Sequence, residues 1–459
     1  MADQPPKPAE TQKAATALSV SRAAWVAFAC LVLVSIVLIG LVLVHRAALE
    51  QVFSRKSDAG EMKGKFVPPE KGTWRFIVSG DSRNCGDVVV PTIAAHSLSR
   101  YQPMFYWHLG DLRAIYKIDE DMAAAAQQSG ESLSCKTYFE RAWPDFIDNQ
   151  IRSFGNTRFY LGIGNHELIK PKTREQFSAE FEDWLATPRR SMDRVEAQQI
   201  AGAKSGPCAE IAKKPYVTSL PYYHWIQGAV DFMYLDNASG SFSYPPEKPG
   251  GPYLRDQVAW FDCILDRVTN NTSIATVVVG MHEALPYSRA NDHSMCDDPT
   301  QKTEGCETGK HVYEALLKLR EKKNVYVLAS HSHFYMDKLF DGQAPGHRLP
   351  GWIVGTAGAI RYRLPPNVDP GPGAQPDVYG YLLATVKQNG QIDFDFKQVK
   401  ETDIPKAVLK RYPASFPQWC FAHNSLNKDP ISEETTNRCV GPVVPSNAGQ
   451  KAEPSAIKP

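Results

Sequence analysis

The chain has 459 residues, of which 22% are charged, and its formal net charge is +1. This length is enough for one large buried core, and the charged fraction is ordinary for a globular protein. A net charge this close to zero gives no electrostatic reason to expect nucleic-acid binding, which normally needs a clear basic excess. The sequence also shows no repeat of fixed period.

The N-terminal part of the chain contains one long uncharged segment. Residues 1–22 are polar and hold three prolines, so we expect a disordered tail. Residues 23–44 carry no charge, and a helix of this length suits the roughly 30 Å core of a bilayer. A buried helix and a cleaved signal peptide are the alternatives, but the apolar region of a signal peptide is usually about 7–15 residues. We expect an uncleaved transmembrane helix at 23–44 and a stalk over residues 45–70.

Five apolar, strand-like runs follow, and each ends in a short polar motif. The motifs are Gly80-Asp81, Gly110-Asp111, Gly164-Asn165-His166-Glu167, Gly280-Met281-His282 and Ser330-His331-Ser332-His333. Singly, Gly-Asp and Gly-Asn are ordinary turn dipeptides, and a lone histidine is more often a packed residue than a ligand. Together these carboxylate, amide and imidazole groups form a donor set suited to borderline divalent or trivalent metals. The pattern predicts a two-metal hydrolytic site at the strand ends.

The elements between and after the motifs alternate in type. Helix-like stretches cover Tyr253–Val268 and Lys310–Lys322, and Gly351–Ala359 is typical of a strand that ends in a small-residue loop. The segments Tyr381–Val386 and Ile392–Phe396 flank an Asn-Gly pair, which predicts a β-hairpin.

Long insertions lie at residues 115–150, 167–222 and 284–310. Loops at strand ends surround a site built there, so these insertions should decide which ligand it accepts. In or beside the last two lie Tyr222, Tyr223, His224, Trp225, Tyr287, Arg289 and His293. Such side chains either stack on a nucleobase, sugar or aryl group or, as is commoner, pack the loops themselves.

Cysteines indicate the compartment. Lysines and arginines are nearly balanced around residues 23–44 and do not decide its orientation. Cys30 lies within that segment, and the eight remaining cysteines contain no Cys-x-x-Cys pattern, which favours disulfides in an oxidising compartment. We therefore expect a single-pass membrane protein with a cytoplasmic N-terminus and its bulk in the periplasm or outside the cell.

Two cysteine pairs flank short loops. Cys296–Cys306 and Cys420–Cys439 are the expected disulfides because each pair is close in sequence. The sequence does not pair the remaining four, which are Cys85, Cys135, Cys208 and Cys263.

The five motifs, in this order, resemble the calcineurin-like metallophosphoesterase superfamily and, more distantly, the purple acid phosphatases, over about residues 74–390. The resemblance implies an α/β fold, a four-layer α/β/β/α sandwich of two mixed sheets, over residues 71–400. Residues 401–440 would then be a C-terminal extension, and 441–459 a disordered tail.

The resemblance also implies a role for each motif residue. Asp111 would bridge two metal ions, most plausibly drawn from Fe, Mn and Zn. Asp81 and His333 would complete one site, and Asn165, His282 and His331 the other. His166 would lie beside the scissile phosphate, where it stabilises the transition state or protonates the leaving oxygen, with Glu167 as its orienting partner.

The first motif departs from the family pattern. Many members have Asp-x-His there, but this chain has Asp81-Ser82-Arg83. The tyrosinate ligand of purple acid phosphatases corresponds to Ala114, with Tyr116 two residues later, so the first site is one ligand short of either version. Arg83 either grips substrate phosphate oxygens as a catalytic residue or forms a surface salt bridge. Arg113 has a weaker claim of the same kind.

The implied function is metal-dependent hydrolysis of a small phosphomonoester by an activated hydroxide, at a membrane-anchored site outside the cytoplasm. A phosphodiesterase or nucleotide hydrolase with the same site is one alternative. A non-catalytic metallophosphoesterase-like binding module, suggested by the missing first-motif histidine, is the other.

Overall fold

The computed structural model describes residues 66–185, 200, 202–212, 220–243, 257–290, 293–427 and 438–440. The predicted N-terminal tail, transmembrane segment and C-terminal tail lie outside these residues, as does most of the stalk. Residues 66–70 are exposed and belong to no helix or strand. Within the described ranges, no helix is both long enough and apolar enough to cross a bilayer.

The first sheet has a parallel centre and an antiparallel hairpin at one edge. Strands β1, β2 and β3 are parallel neighbours, while β11 pairs antiparallel with β1, and β12 with β11. Their bounds, in spatial order, are β12 Ile392–Val399, β11 Tyr379–Val386, β1 Trp74–Ser79, β2 Phe105–His108 and β3 Arg158–Leu161. The register pairs Val386 with Ile392 across the turn at Asn389 and Gly390, so the predicted hairpin is confirmed.

The second sheet is also mixed. Strands β5, β6, β7 and β9 are parallel, and β4, β8 and β10 pair antiparallel at the two edges. In spatial order the strands are β10 Ala374–Gln375, β8 Tyr335–Met336, β9 Gly351–Val354, β7 Asn324–Ala329, β6 Thr276–Met281, β5 Val230–Leu235 and β4 Tyr223–Gln227. Two mixed sheets with helices agree with the predicted α/β fold.

The two sheets contact each other through aromatic side chains. Tyr160 of β3 stacks on Trp225 of β4 with ring centroids 3.9 Å apart, and Phe105 of β2 meets Phe232 of β5 at 5.3 Å. Successive side chains of a strand point to opposite faces, so Val278 of β6 joins this core while its two neighbours contact the helices on the other side.

Helices cover the remaining faces of the sheets. Their bounds are α1 Gly86–Arg100, α2 Glu120–Ser129, α3 Cys135–Asn149, α4 Arg174–Glu180, α5 Pro207–Ala212, α6 Gln257–Asn270, α7 Glu304–Arg320, α8 Lys406–Leu409 and α9 Ser415–Ala422. Helix α7 begins six residues before the predicted start because the Thr303 hydroxyl caps it, accepting from the Cys306 N–H. Helix α6 ends two residues beyond the predicted Val268. Strand β9 ends at Val354 and the small residues up to Ala359 form the loop after it, as predicted.

Four disulfides join the described cysteines. The predicted pair Cys296–Cys306 is confirmed. The predicted pair Cys420–Cys439 is wrong, since both residues bridge far back along the chain. The observed pairs are Cys85–Cys420, Cys135–Cys439 and Cys208–Cys263.

The C-terminal extension is part of the core, and this explains the pairing. Val408 of α8 and Phe416 of α9 are buried in the same cluster as the first sheet. Just after α9, the Asn424 amide donates to the Gly358 carbonyl and the Tyr379 hydroxyl. Packing therefore carries Cys420 to the start of α1, a proximity that spacing along the sequence does not reveal.

Arg113 is buried in a cluster of carboxylates rather than facing a ligand. Its guanidinium donates to Asp87 at 2.7 Å, to Asp121 at 3.1 Å and also to Asp145. Burial alone would lower the pKa of Arg113, but these carboxylates hold it well above its usual value. The weaker prediction of phosphate binding by Arg113 is therefore wrong, because its donors tie α1, α2 and α3 to the loop that carries Asp111.

We expect Arg113→Met to destabilise the fold by about 3–5 kcal/mol, because it leaves buried carboxylates without their cation. Denaturant unfolding of the purified protein measures the change. Arg141→Met is the matched control, because Arg141 pairs with Glu131 where both side chains are more than half exposed, and such pairs contribute about 0–1 kcal/mol. Equal losses for the two variants would contradict a structural role for the buried cluster.

Candidate metal centre

The five motifs converge at the carboxyl ends of parallel strands from both sheets. Asp81, Asp111 and Asn165 follow β1, β2 and β3, while His282 and His331 follow β6 and β7. Carboxyl ends of parallel strands meet along one edge of a sheet, which is where α/β proteins commonly place ligands. The packing of the two sheets brings their edges together here.

Three of these residues adopt a backbone conformation that is uncommon outside glycine. Asp81, Asp111 and His331 have φ values of 60°, 58° and 63°. Such left-handed residues persist where the surroundings over-determine them, and they cluster at functional sites. A glycine is needed beside them, because a Cβ on Gly164 would lie 2.3 Å from an Asp111 carboxylate oxygen.

One donor cluster forms around His282. Its Nε2 atom lies 3.0 Å from Asn165 Oδ1, 3.3 Å from Asp111 Oδ1 and 3.2 Å from His331 Nδ1. Two ligands about 2.0–2.2 Å from one ion are about 3.0–3.5 Å apart at octahedral or tetrahedral angles. The three distances from His282 Nε2 therefore match the spacing of ligands around a single ion, and the oxygen and imidazole types of the four donors suit Fe, Mn or Zn.

The protonation of His282 supports this interpretation. Its Nδ1 atom lies 3.0 Å from the Leu109 carbonyl, which only accepts, so Nδ1 carries the hydrogen and Nε2 faces the cluster. Burial alone would lower the pKa of His282, but Asp111 and Asp81 raise it to about 10. The carboxylates thus strongly favour a positive charge at this point, which either a proton or a metal ion supplies.

A second donor cluster shares Asp111. Donor atoms of Asp81, Asp111 and His333 all lie within 4.8 Å of one another, and the same holds for Asp111, His282 and His331. Asp81 Oδ1 and Asp111 Oδ2 are buried without a hydrogen-bond partner. Such oxygens are costly unless a cation neutralises them. The donor set fits a metal ion, and Asp111 belongs to both clusters.

Arg83 reaches into this second cluster. One terminal nitrogen, Nη2, lies 3.2 Å from His333 Nε2 and 3.3 Å from the Tyr362 hydroxyl. Its Nε atom is 3.9 Å from Asp111 Oδ2, and the residue is only 4% exposed. Arg83 is therefore not a surface salt bridge, and its guanidinium contacts candidate metal ligands directly.

His166 lies at the edge of the centre, held by a backbone carbonyl. Its Nδ1 atom donates to the Ala114 carbonyl at 2.6 Å, which leaves Nε2 directed into the site, 3.6 Å from Asp111 Oδ2. Burial, followed by the charge of Arg83, lowers the pKa of His166 to about 4. The Tyr116 ring packs 5.5 Å from the imidazole, so Tyr116 borders His166.

Glu167 does not contact His166, and the prediction that it orients the imidazole is wrong. Its carboxylate accepts three backbone N–H groups, from Asp111 at 3.0 Å, Leu112 at 3.0 Å and Gly164 at 2.8 Å. Burial and the neighbouring Asp111 raise the pKa of Glu167 to about 8, against the effect of these hydrogen bonds. Through these hydrogen bonds, Glu167 holds the loop of the second motif against the loop of the third.

The insertions contribute few groups to the centre. Of the aromatic and basic residues singled out in them, His293 alone has a ring contact with a candidate ligand in the described structure, 5.4 Å from His331. The others pack elsewhere: Tyr160 stacks on Trp225, Tyr222 contacts Trp260, and Tyr287 contacts Tyr313.

Sequence reasoning missed two supporting residues. The Tyr362 ring packs against His333 with ring centroids 3.9 Å apart, and no motif marks it. Asn237 accepts the backbone N–H of His282 at 3.1 Å and donates to the Glu283 carbonyl. Its position just beyond the buried strand β5 was the available signal, since polar residues after strands mark the other site loops.

No protein-family model and no curated protein sequence matches the chain. Several solved structures do. The purple acid phosphatase PPD1 from yellow lupin (Lupinus luteus) is 14% identical, with a TM-score of 0.44, over 72% of this chain and 52% of that one. GAP50, the anchor in the inner membrane complex of Plasmodium, is 10% identical, with a TM-score of 0.41, over 72% of this chain and 85% of that one. PhoD is 14% identical, with a TM-score of 0.38, over 73% of this chain and 72% of that one.

The purple acid phosphatase and PhoD are calcineurin-like metallophosphoesterases, the superfamily that the five motifs resemble. At these identities the likeness concerns the fold alone. The roles of the site residues rest on the geometry described above.

We expect Glu167→Gln to destabilise the protein by about 1–3 kcal/mol, because the new amide group points a donor at a backbone N–H and leaves it without an acceptor. Metal affinity should fall as well, since the Asp111 loop loses its fastening. Thermal unfolding with and without added Mn²⁺ measures both effects. Glu131→Gln, at an exposed ion pair, is the control. Unchanged stability and affinity in Glu167→Gln would show that the carboxylate fastens nothing.

Proposed function

We propose that this protein is a metal-dependent phosphoester hydrolase and that its substrate is a small phosphomonoester. One observation carries the proposal: two clusters of nitrogen and oxygen donors share the Asp111 carboxylate. Adjacent ions that share a ligand suit the hydrolysis of phosphate esters, because the ester resists attack through its own negative oxygens.

Each cluster has a separate set of candidate ligands. Asn165, His282 and His331 would hold one ion with Asp111. Asp81 and His333 would hold the other with Asp111. A bound divalent or trivalent ion would neutralise phosphoryl oxygens and lower the pKa of a water molecule.

His166 is placed to exchange a proton with a substrate. Because Nδ1–H is committed to the Ala114 carbonyl, Nε2 is the atom that faces the site. Its lowered pKa makes it a neutral hydrogen-bond acceptor in the free protein. A negative phosphoryl group nearby would raise that pKa and allow Nε2 to carry a proton to the leaving oxygen.

Partly exposed residues indicate where a substrate enters. Four residues of the centre are half-buried, namely Asn165, His331, Tyr362 and His293. The other candidate ligands, including Asp81 and Asp111, are buried. The half-buried group therefore forms the solvent side of the centre. A small phosphorylated molecule would present its phosphate to the ligands and the rest of its structure to His293 and Tyr362.

We also propose a membrane-anchored location outside the cytoplasm, with residues 23–44 as the anchor and the N-terminus in the cytoplasm. The uncharged length of that segment supports the anchor. The four disulfides support a periplasmic or extracellular placement, because such bonds persist in oxidising compartments.

A non-catalytic binding module is the second candidate. The contact between Arg83 and His333 Nε2 favours it, since a guanidinium at a ligand nitrogen hinders one metal position. His166 favours an enzyme, because a pure binding site has little need for an imidazole that faces the ester with a free nitrogen.

The test is turnover of an aryl phosphomonoester and an aryl phosphodiester by the full chain, purified in detergent and supplied with Mn²⁺, Zn²⁺ or Fe³⁺. We expect metal-dependent hydrolysis, with the monoester preferred, and loss of both turnover and metal in Asp111→Asn. Preference for the diester would favour the phosphodiesterase alternative. Metal binding without turnover of either ester would favour the binding module, and full activity of Asp111→Asn would refute the site.

We expect His166→Ala to keep its metal and to lose about 10²–10⁴ in rate on an alkyl phosphate. The loss should be smaller on nitrophenyl phosphate, because nitrophenolate leaves without a proton. Parallel measurement of kcat on the two substrates gives the answer. An equal loss on both would make His166 a stabiliser of charge rather than a proton donor.

A further inference from the structure

A permanently charged side chain, Arg83, lies at the edge of one of the two candidate metal positions. We propose that the Arg83 guanidinium competes with a metal ion for the Asp81–Asp111–His333 position, so that the protein holds one ion tightly and a second ion weakly. This inference rests on the metal centre of the proposed function, and it concerns how many ions that centre retains.

The competition follows from the hydrogen bonding of His333. Its Nδ1 atom donates to the Ile360 carbonyl at 2.7 Å, so Nε2 holds the one available lone pair of the ring. That lone pair faces Arg83 Nη2 at 3.2 Å. An arginine nitrogen has only hydrogens to offer, so the contact is a hydrogen bond donated to the imidazole. A single lone pair cannot serve an N–H group and a metal ion together.

The positive charge of Arg83 also opposes binding of an ion at this position. Arginine remains protonated in proteins, and its Nε atom lies 3.9 Å from Asp111 Oδ2, the oxygen that faces this position. The guanidinium already offsets part of the carboxylate charge that would attract an ion, and it repels a cation placed among the same groups.

The other position has no such competitor. In the described structure, the hydrogen bonds and ion pairs of Asn165, His282 and His331 involve no lysine or arginine. Asp111 Oδ1 faces His282 at 3.3 Å, whereas its Oδ2 faces Arg83. One carboxylate thus presents one oxygen to a position without an arginine or lysine, where His282 can give up its proton to a metal ion, and the other oxygen to a position beside the permanently charged Arg83.

The surroundings hold Arg83 in place. The Tyr362 hydroxyl contacts Nη2 at 3.3 Å, and the Tyr362 ring packs against His333. Two residues after Arg83, the Cys85–Cys420 disulfide ties the first-motif loop to α9. Moving the guanidinium aside therefore requires a change of side-chain conformation, because the backbone is fixed on both sides. A second ion must overcome this cost.

The experiment counts ions rather than turnover. The full chain, stripped of metal, is titrated with Mn²⁺ by calorimetry and followed by electron paramagnetic resonance, because two Mn²⁺ ions that share a carboxylate give an exchange-coupled spectrum. We expect one tight ion with an uncoupled spectrum in the native protein. Arg83→Ala should bind the second ion about tenfold more tightly or better, and the coupled spectrum should then appear.

Two variants serve as comparisons. Arg363→Ala removes the same charge from an exposed side chain whose guanidinium donates to Asn427 Oδ1 and the Leu426 carbonyl, and it should behave as the native protein does. Tyr362→Phe keeps Arg83 but removes its hydroxyl contact, so the second ion should tighten by less than in Arg83→Ala. This variant also keeps the test valid if Arg83→Ala does not fold.

Ligand variants give an independent test. In the native background, His282→Ala should abolish the tight ion, while His333→Ala should change its affinity by less than about threefold. Two equally tight ions in the native protein, or a second ion that stays weak in both Arg83→Ala and Tyr362→Phe, would overturn the inference. One tight ion without hydrolysis would refute the proposed function alone, and absence of any bound ion would refute both.

Discussion

The Asp111 carboxylate is the charge that both donor clusters share, and the neighbouring loops are arranged to fix it. Its backbone is left-handed, its N–H donates to Glu167, and its Oδ1 atom accepts the backbone N–H of His166. Gly164 leaves the space that Oδ1 needs. Because the second and third motifs are fastened by these contacts, a shift of either loop would move the shared ligand and both clusters together.

Burying so much negative charge has an electrostatic consequence. Burial raises the pKa of Asp81 to about 6 and that of Glu283, next to His282, to about 7. Without a metal, Asp81 and His282 therefore keep their protons to a higher pH than usual, whereas His166 and His282 hold the pKa of Asp111 well below its ordinary value although burial alone would raise it. Metal binding must displace those protons, so metal affinity should rise with pH. Because the site exists only in the folded protein, the free energy of metal binding adds to the stability of the fold.

Another group of carboxylates is neutralised by an arginine of the protein instead of a metal ion. There a protein cation, Arg113, neutralises Asp87, Asp121 and Asp145 and joins three helices to the Asp111 loop. One buried arginine thus serves structure alone, whereas Arg83 meets residues with metal-ligand geometry. The difference lies in the partners: three carboxylates and the Ala142 carbonyl surround Arg113, whereas an imidazole nitrogen and a shared carboxylate lie beside Arg83.

The sequence identified the candidate ligands that the structure brings together, but not the contacts that hold them. Six residues were recognisable because each follows a buried strand, and parallel strands bring their carboxyl ends together. They are Asp81, Asp111, Asn165, His282, His331 and His333. Glu167 was misassigned because backbone N–H groups leave no trace in a sequence. The partner of Cys420 was misassigned because α9 folds back onto the start of α1, and short spacing favoured the wrong cysteine.

The first motif is where the chemistry of this chain is decided. A histidine two residues after Asp81 would add a neutral ligand and leave the carboxylates to a metal. Arg83 instead adds a permanent charge that offers no lone pair and activates no water. It neutralises Asp111 on one side only, so the two positions that share this carboxylate cannot be equivalent. On our proposal, the charge of this one side chain separates a centre that holds two ions tightly from one that holds a single tight ion beside an arginine.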